Sequence, residues 1–535
     1  MTAKPVISAD SQEMQQLGYK PELPRNFKLF TSFAIGFSFI SVTAGVFGSF
    51  SLGLSFAGGF VTFGWLICAV GQTIVALVFG MLATRIPLAG SSYQWVSRMV
   101  GSTAGWMQGW AFLTFVNISL LAVNYTLASS VAPALFGYVG TVDNTLLITA
   151  CLCLLQALIL IFSTALAGHV NNVAVVTEIL GTVGLSIALV IALAVHHDFN
   201  WANLFRPEVG HTGSYFSAGT LFHSGWWQLA LLMGIYAQCG FEGSADMSEE
   251  TKDASRHVPR AMWMSMAIAG IVGFLFIGML VVASPNLAAT AKSATPIADI
   301  VNGALGSVVG HIFLAVVAFS VFACGLIIFM DTTRIVFAMA RDERMPGSRF
   351  LGRIHGRLNT PLFAVIAVGV LDLILLFAFG RTTTALNTIV GVTSVLPPIM
   401  YGGPCVAALF RIKRLPKATD WSLGRAEYAI IVASVIWIAI ELFTLRDSSL
   451  KTGWLYVLVA FAIGAAYLIV RRFTRGPLPQ LSTEFGPSSA EVDAQARALR
   501  MEPPPAAGDV TLPAHRSSKS AGCPSITAKV EIESQ

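Results

Sequence analysis

The stretch that decides the fold is QCGFEGSADMSEE, residues 238–250, in which glycines and acids end an apolar run. That run contains Trp226, Trp227 and Tyr236 and is typical of a membrane helix. A second apolar segment, SVTAGVFGSFSLG at residues 41–53, is interrupted by glycines and hydroxylated residues. Interrupted apolar segments at matching places in two halves of a chain indicate the substrate site of a membrane transporter.

The glycines of the second segment also have a simpler interpretation. Gly45, Gly48 and Gly53 would let neighbouring membrane helices pack closely, as small residues commonly do. The transporter interpretation is favoured because two segments are interrupted and one carries acidic residues at the interruption. An unwound helix exposes N–H and C=O groups, and its half-helix ends carry partial charges that can bind a zwitterion.

The composition places the whole chain in a membrane. Of its 535 residues, 55% are hydrophobic and 11% charged, and the mean hydropathy is +0.71, whereas a soluble domain carries roughly 25% charged residues. Apolar runs of about 20 residues recur, the length that a helix needs to cross the hydrocarbon layer. The short alternating segments of a β-barrel do not occur. We therefore predict an all-α membrane protein with about twelve spans, near residues 29–56, 60–84, 103–135, 145–167, 170–195, 226–248, 261–283, 309–340, 361–380, 383–410, 427–445 and 453–471.

The basic residues predict how these spans are oriented. Fifteen lysines and arginines lie in the loops after spans 2, 4, 6, 8 and 10, and five lie in the opposite loops. Since basic loops stay in the cytoplasm, we expect both termini to be cytoplasmic in a multi-pass protein of the plasma or inner cell membrane. The net charge of +5 thus reflects topology and not nucleic-acid binding.

Four motifs resemble the amino acid–polyamine–organocation permeases, most closely their amino acid and choline transporter branch. The stretch GFEGSADMSEETKDASRHVPRA at residues 240–261 resembles the family's span 6 and the loop after it. TRIVFAMARDERMP at 333–346 resembles the end of span 8, PLAGSSY at 87–93 the turn after span 2, and VNN at 170–172 the start of span 5. Together they cover roughly residues 28–472 in the family's order and spacing.

The resemblance implies a fold and a division of the chain. We expect a core of two inverted five-helix repeats, about 28–195 and 226–410, with two extra helices at about 427–471 and transport by alternating access. The permease domain would span 28–472, between a cytoplasmic N-terminal tail at 1–27 and a C-terminal tail at 473–535. The latter is rich in Pro, Ser, Ala and charge, and we expect it to be disordered.

The resemblance also assigns roles at the two interruptions. The substrate carboxylate would bind the backbone amides of one small-residue tripeptide, and the substrate amino group would bind the carbonyls of a second tripeptide. Tyr236 would be an aromatic gate, or simply a packed aromatic residue. The tripeptides are Thr43, Ala44 and Gly45 in span 1 and Gly240, Phe241 and Glu242 in span 6.

Span 5 departs from the family. Proton-coupled relatives often carry a lysine six residues after the second asparagine of the span-5 motif, and this chain carries Glu178 there. Buried carboxyls can take up and release a proton. We therefore consider Glu178, Glu242 or both as carriers of a coupled proton, with Glu178 first because of its position. Alternatively, Glu178 is neutral and only holds span 1 by hydrogen bonds.

The remaining intramembrane charges are interpreted as structural. Asp331 and Arg334 lie three residues apart, a spacing that permits an ion pair along one helix. Asp372 and Glu441 are expected at packing interfaces. Sodium is the competing coupling ion, because hard cations prefer oxygen ligands; the hydroxyl side chains that could supply them are those of Ser41, Thr43, Ser320, Thr332 and Thr333.

Other functions are disfavoured by the sequence. No nucleophile-and-base set, metal-ligand pattern or Gly-rich phosphate loop is present, so we expect no enzyme, cofactor or metal. The expected partners are the lipid bilayer, a small amino acid or amine such as γ-aminobutyrate, a polyamine or choline, and protons. Exchange of one substrate for another and a non-transporting sensor or scaffold remain alternatives.

Overall fold

The protein is described by a computed structural model covering residues 14–15, 17–196, 198–206, 226–293, 295–356, 358, 360–381, 385–412, 418, 420–446, 450–479 and 481. These residues form helices and two isolated bridges, without a β-strand. The α-helices are α1 Leu29–Ile40, α2 Val42–Ala57, α3 Val61–Ala83, α4 Ser91–Met99, α5 Ser102–Thr126, α6 Ala132–Phe136, α7 Val142–Phe162, α8 Thr164–His196, α9 Trp226–Ala237, α10 Gly243–Asp246, α11 Ala254–Ala283, α12 Leu287–Lys292, α13 Pro296–Leu305, α14 Ser307–Arg341, α15 Ser348–Leu351, α16 Leu362–Phe379, α17 Ala385–Arg411, α18 Glu427–Thr444 and α19 Lys451–Arg475.

The helices confirm an all-α, multi-pass membrane protein. Ten helical segments of the described chain are long and apolar enough to cross a membrane. The first, Leu29–Ala83, contains two predicted spans joined by a 3₁₀ turn at Gly58–Phe60. The helices α9 and α10, with the break between them, form one more span. The described helices therefore account for the twelve predicted spans.

Both predicted interruptions are present. Span 1 breaks at Ser41, where φ is +30°. The Ser41 side chain accepts a hydrogen bond from the Ala44 amide in the first turn of α2. Span 6 breaks after α9, and Gly240 has a φ of +100°, a conformation that strains any residue with a Cβ atom. A Cβ on Gly240 would also overlap the ring of Phe39, so only glycine lets span 1 approach this closely.

The glycines that drew attention to span 1 have a packing role. They lie inside α2, beyond the break, where small residues allow close helix packing. Gly45 lies directly against Ala237 at the end of α9, and a Cβ on Gly48 would come within 3.2 Å of the Tyr236 hydroxyl. Gly45 and Gly48 therefore let α2, which follows the span-1 break, pack closely against α9, which precedes the span-6 break.

The loops predicted to be cytoplasmic meet at one end of the helix bundle, which we call the basic end. Glu249, after span 6, accepts hydrogen bonds from the Ala89 amide, after span 2, and from Arg341, at the end of span 8. Arg85 pairs with Glu427, before span 11. The predicted grouping of these loops on one side is therefore consistent with the contacts.

The N-terminal segment packs against this end. Phe27 forms a parallel bridge with Thr251, and Arg25 donates a 2.6 Å hydrogen bond to the Thr251 carbonyl. The Tyr19 hydroxyl donates to Asp342 at 2.9 Å, and the guanidinium of Arg341 lies 4.1 Å from the Tyr19 ring centre. The prediction of a tail at 1–27 did not anticipate that its last residues bind spans 6 and 8.

The predicted C-terminal tail lies largely outside the described residues. Its first three residues, 473–475, continue the helix α19. Only 476–479 and 481 of the remainder are described.

The buried ion pair at the basic end yields a stability prediction. Burial alone would raise the pKa of Glu249, but the charge and hydrogen bonds of Arg341, with the Ala89 amide, lower it below its ordinary value. A depressed pKa stabilises the fold at pH values above the ordinary pKa of about 4.3, and this contribution is lost as the pH falls through the lowered value. We expect Glu249→Gln to cost about 3–5 kcal/mol at pH 7, because Arg341 is left buried and unpaired.

Thermal unfolding of the full chain in detergent measures this effect. The matched control is Glu427→Gln, because the Glu427 side chain is 17% exposed against 1% for Glu249, so a smaller loss of stability is expected. The difference between wild type and Glu249→Gln should shrink as the pH falls below about 4. Equal unfolding temperatures for the two variants at pH 7 would contradict the assignment.

Candidate functional site

A small cavity lies where the two interrupted spans meet. Its volume is about 30 Å³, enough for one or two water molecules and too small for an amino acid. Three predicted site residues line it: Ala44, Gly45 and Tyr236. The other lining residues are Phe39, Ile40, Ser119, Ala122, Val123, Ala237, Cys239, Cys324, Ile328 and Thr393. The cavity is therefore too small for a substrate at the position where one was predicted.

Glu178 lies at the N-terminus of α2. Its Oε1 atom accepts hydrogen bonds from the Thr43 amide at 2.9 Å, the Thr43 hydroxyl at 2.8 Å and the Ser41 hydroxyl at 3.0 Å. Glu178 is 1% exposed and comes from the middle of α8. An N-terminal helix end carries partial positive charge, so a carboxylate is well placed there. The predicted hydrogen bonding between Glu178 and span 1 is present.

The amides predicted to bind a substrate carboxylate already have partners in the chain. The Thr43 amide donates to Glu178, the Ala44 amide to the Ser41 hydroxyl, and the Gly45 amide to the Ser41 carbonyl. Glu178 thus places its own carboxyl where the resemblance places that of the substrate. A substrate carboxylate can use the Thr43 amide only if Glu178 moves or releases it.

The other tripeptide is organised around a tyrosine that sequence reasoning missed. The Gly240 amide donates to the Tyr401 hydroxyl at 2.8 Å, and that hydroxyl donates to Glu242 Oε2 at 2.7 Å. The Phe241 ring stacks on the Tyr401 ring, with centroids 5.0 Å apart. Gly240, Phe241 and Glu242 are buried and none of them lines the cavity.

A sequence signal for Tyr401 did exist. It is a polar aromatic residue in the run LPPIMYGGP at residues 396–404, in which prolines interrupt the pattern of span 10. The helix α17 nevertheless continues through these prolines. Because Tyr401 lies 161 residues from Gly240, no spacing rule connects the two.

The hydroxyls considered for sodium binding are mostly engaged elsewhere. Those of Ser41 and Thr43 donate to Glu178. Thr332 and Thr333 donate to carbonyls of their own helix, those of Ile328 and Met330, as hydroxyls in membrane helices often do. The contacts thus bring the Ser41 and Thr43 hydroxyls together at Glu178, 3.3 Å apart, whereas in the described part of the chain no span-8 hydroxyl joins them and Ser320 Oγ has no hydrogen-bond partner.

The predicted ion pair within span 8 is wrong. Arg334 Nε donates to Glu250 Oε1 at 2.6 Å, and both side chains are buried. Asp331, one turn earlier, instead faces the carboxyls of Asp246 and Glu242.

The two remaining intramembrane acids lie away from the cavity. Glu441 accepts a 2.7 Å hydrogen bond from Gln72, which links span 11 to span 2, and Asp372 is buried beside Cys153 of span 4. Both lie at helix interfaces, as predicted.

Comparison with known proteins places this geometry in a family context. Residues 27–470 match the family model described as amino acid permease. The chain is 26% identical to the amino-acid permease BAT1 of Arabidopsis thaliana over 81% of its length and 87% of that protein. It is 25% identical to a putative amino acid/polyamine transporter of Macrophomina phaseolina, over 77% of this chain and 92% of that protein. It is 26% identical to the branched-chain amino acid permease BcaP of Lactococcus lactis, over 60% of this chain and 68% of that protein.

The Tyr401 hydroxyl gives a prediction about the span-6 break. Tyr401→Phe leaves the Gly240 amide and a Glu242 oxygen buried without a partner, which should cost about 1–3 kcal/mol of stability and weaken transport. The measurements are the unfolding temperature and initial uptake rate of the full chain. Tyr467→Phe is the control, since that hydroxyl makes only a 3.4 Å contact with the Arg344 carbonyl. If the two variants behave alike, Tyr401 does not hold the break.

Proposed function

This chain belongs to the amino acid permease family of membrane transporters, and we propose on that basis that it is a proton-coupled symporter of amino acids or related amines. The protein is a transporter and not an enzyme. In the proposal, substrate binds between the interrupted centres of spans 1 and 6, and the two sides of the membrane gain access to it in turn. The basic end is the cytoplasmic end in this proposal.

The observation that carries the proposal is the meeting of the two breaks at one small cavity. Ala44 and Gly45 reach this cavity from span 1, and Tyr236 reaches it from span 6. Half-helix ends that face a cavity can bind the opposite charges of a zwitterion. Since the cavity is smaller than an amino acid, α2 and α9 must separate for substrate to bind, as alternating access requires.

Glu178 supplies a reason for proton coupling. An ionised Glu178 holds the Thr43 amide and hydroxyl and repels a second carboxylate at the same helix end. A protonated Glu178 has no charge to oppose an amino acid carboxylate, and it accepts hydrogen bonds less strongly. Proton binding and carboxylate binding would therefore favour each other, which is the requirement for symport.

Glu242 fits a proton carrier better than a ligand for the substrate amine. Its Oε2 atom is bound by Tyr401, and it does not line the cavity. Its other oxygen, Oε1, is buried and accepts no hydrogen bond from the residues that the structure describes, which is the state expected of a carboxyl that can hold a proton. We propose that Glu242 acts after Glu178, on the side nearer the basic end.

Uptake into proteoliposomes tests this function. The panel consists of radiolabelled amino acids and amines, including γ-aminobutyrate, polyamines and choline. Each compound is offered under three conditions: with a proton gradient, with a sodium gradient, and without either gradient but with unlabelled substrate inside the vesicles. We expect at least one amino acid to accumulate under the proton gradient. Accumulation that depends on the sodium gradient would indicate sodium symport instead of proton symport. Accumulation that depends on internal substrate would indicate exchange. No transport under any condition would indicate a sensor or scaffold.

Glu178→Gln tests the coupling step. Glutamine can still accept a hydrogen bond from Thr43, so the fold should persist, but the residue cannot exchange a proton. We expect proton-driven accumulation to fall about tenfold or more, while exchange of internal for external substrate continues without its pH dependence. Glu441→Gln is the control, because Glu441 is equally buried but binds Gln72 away from the cavity. A Glu178→Gln protein that still concentrates substrate in a pH-dependent way contradicts coupling through Glu178.

A further inference from the structure

Three carboxyl groups lie together between the span-6 break and the basic end. Glu242 precedes α10, Asp246 is its last residue, and Asp331 faces them from α14. All three are buried, with exposures of 0%, 1% and 0%. A Cβ atom on Gly243, within α10, would lie 3.9 Å from the Asp331 carboxyl carbon. Asp331 therefore lies beside the segment that carries Glu242 and Asp246, where the three carboxyls act on one another. The interior of the bundle therefore contains a carboxyl cluster that sequence reasoning did not anticipate.

Most oxygens of this cluster lack a donor. Tyr401 donates to Glu242 Oε2, and the Ser91 hydroxyl donates to Asp246 Oδ2 at 3.2 Å. The other four oxygens accept no hydrogen bond in the described part of the chain: Glu242 Oε1, Asp246 Oδ1 and both oxygens of Asp331. A buried carboxylate without a donor is strongly disfavoured, whereas a protonated carboxyl donates to its neighbour.

The nearby basic side chains bind other acids. Arg334 follows Asp331 by one turn and attracts it, but its Nε is committed to Glu250 at 2.6 Å. Arg341 makes two hydrogen bonds to Glu249, at 2.8 and 2.9 Å. The remaining titratable groups that face the cluster, Cys239 and the Tyr401 hydroxyl, are acids themselves and add no positive charge.

We propose that Glu242, Asp246 and Asp331 share protons and form the path by which a coupled proton passes from the substrate site towards the basic end. Buried like charges this close cannot all ionise, so the cluster retains at least one proton. Each transfer breaks an O–H bond on one carboxyl and forms one on the next. The proton finally leaves to water, and no other reactant is needed.

The position of the cluster fits such a path. Glu242 is joined through Tyr401 to the span-6 break. Asp246 contacts Ser91, which begins α4 at the basic end. Glu249 and Glu250 follow Asp246 by three and four residues, and their ion pairs close the path from that end. This proposal rests on proton symport, but proton retention by the cluster can be measured without any substrate.

Infrared spectroscopy of the full chain in lipid tests the shared protons directly. Protonated carboxyls absorb at a higher carbonyl frequency than carboxylates, so wild type at pH 7 should show bands that are reduced in Asp331→Asn. In Asp246→Asn the Asp331 band should shift, because its neighbour is replaced. Glu427→Gln is the matched control and should leave these bands unchanged, since that glutamate pairs with Arg85 and does not belong to the cluster. An unchanged spectrum in both aspartate variants would overturn the proposal.

Transport assays then separate the path from the proposed function. The substrate is the amino acid of the panel with the fastest wild-type uptake, and an internal pH dye follows proton entry. We expect the double change Asp246→Asn with Asp331→Asn to lower proton-driven accumulation at least tenfold and to leave exchange within about twofold. Asp372→Asn, a buried acid beside Cys153, should change neither.

The outcomes are distinguishable. If wild type shows no proton entry, proton symport fails while the infrared result still decides whether the cluster holds protons. If wild type shows proton entry and the double variant retains it at the same ratio to substrate, the path through Asp246 and Asp331 is wrong and symport stands. Loss of exchange together with accumulation would assign the two aspartates a structural role instead.

Discussion

A backbone that unwinds inside a membrane leaves N–H and C=O groups that lipid cannot satisfy, and this constraint organises the protein. At each break, a side chain from a distant span binds the freed backbone. Glu178 of span 5 binds the Thr43 amide at the start of α2, and Tyr401 of span 10 binds the Gly240 amide. Without these partners, the broken spans would have to remain continuous helices or leave buried groups unpaired, at a cost of several kcal/mol each.

The same side chains join the structural role to a chemical one. Glu178 is itself ionisable, and Tyr401 passes its own hydrogen bond on to Glu242. A change in the charge of either carboxyl therefore changes the hydrogen bonding that fixes a break. This is the physical link that we propose between proton binding and helix movement, because the groups that bind charge are also those that set the backbone conformation.

The sequence predicted the helices and both breaks, since run length and composition within one span determine them. It could not predict contacts that depend on two distant segments. Spacing alone paired Asp331 with Arg334, but a glutamate 84 residues away, Glu250, binds that arginine. Tyr401 escaped notice for the same reason, as did the carboxyl cluster that Asp331 joins. Residues assigned by family resemblance were partly brought together. Ala44 and Gly45 of one tripeptide line the cavity, whereas the other tripeptide surrounds Tyr401.

The N-terminal segment has a consequence for control of the transporter. Residues 19–27 tie spans 6 and 8 together at the basic end, next to the buried ion pairs. In the proposed alternating access, opening at this end must break these contacts too, so the segment contributes to the activation barrier for opening although it lies outside the membrane spans. Changes in residues 19–27 are then expected to alter the transport rate and to leave substrate selectivity unaltered.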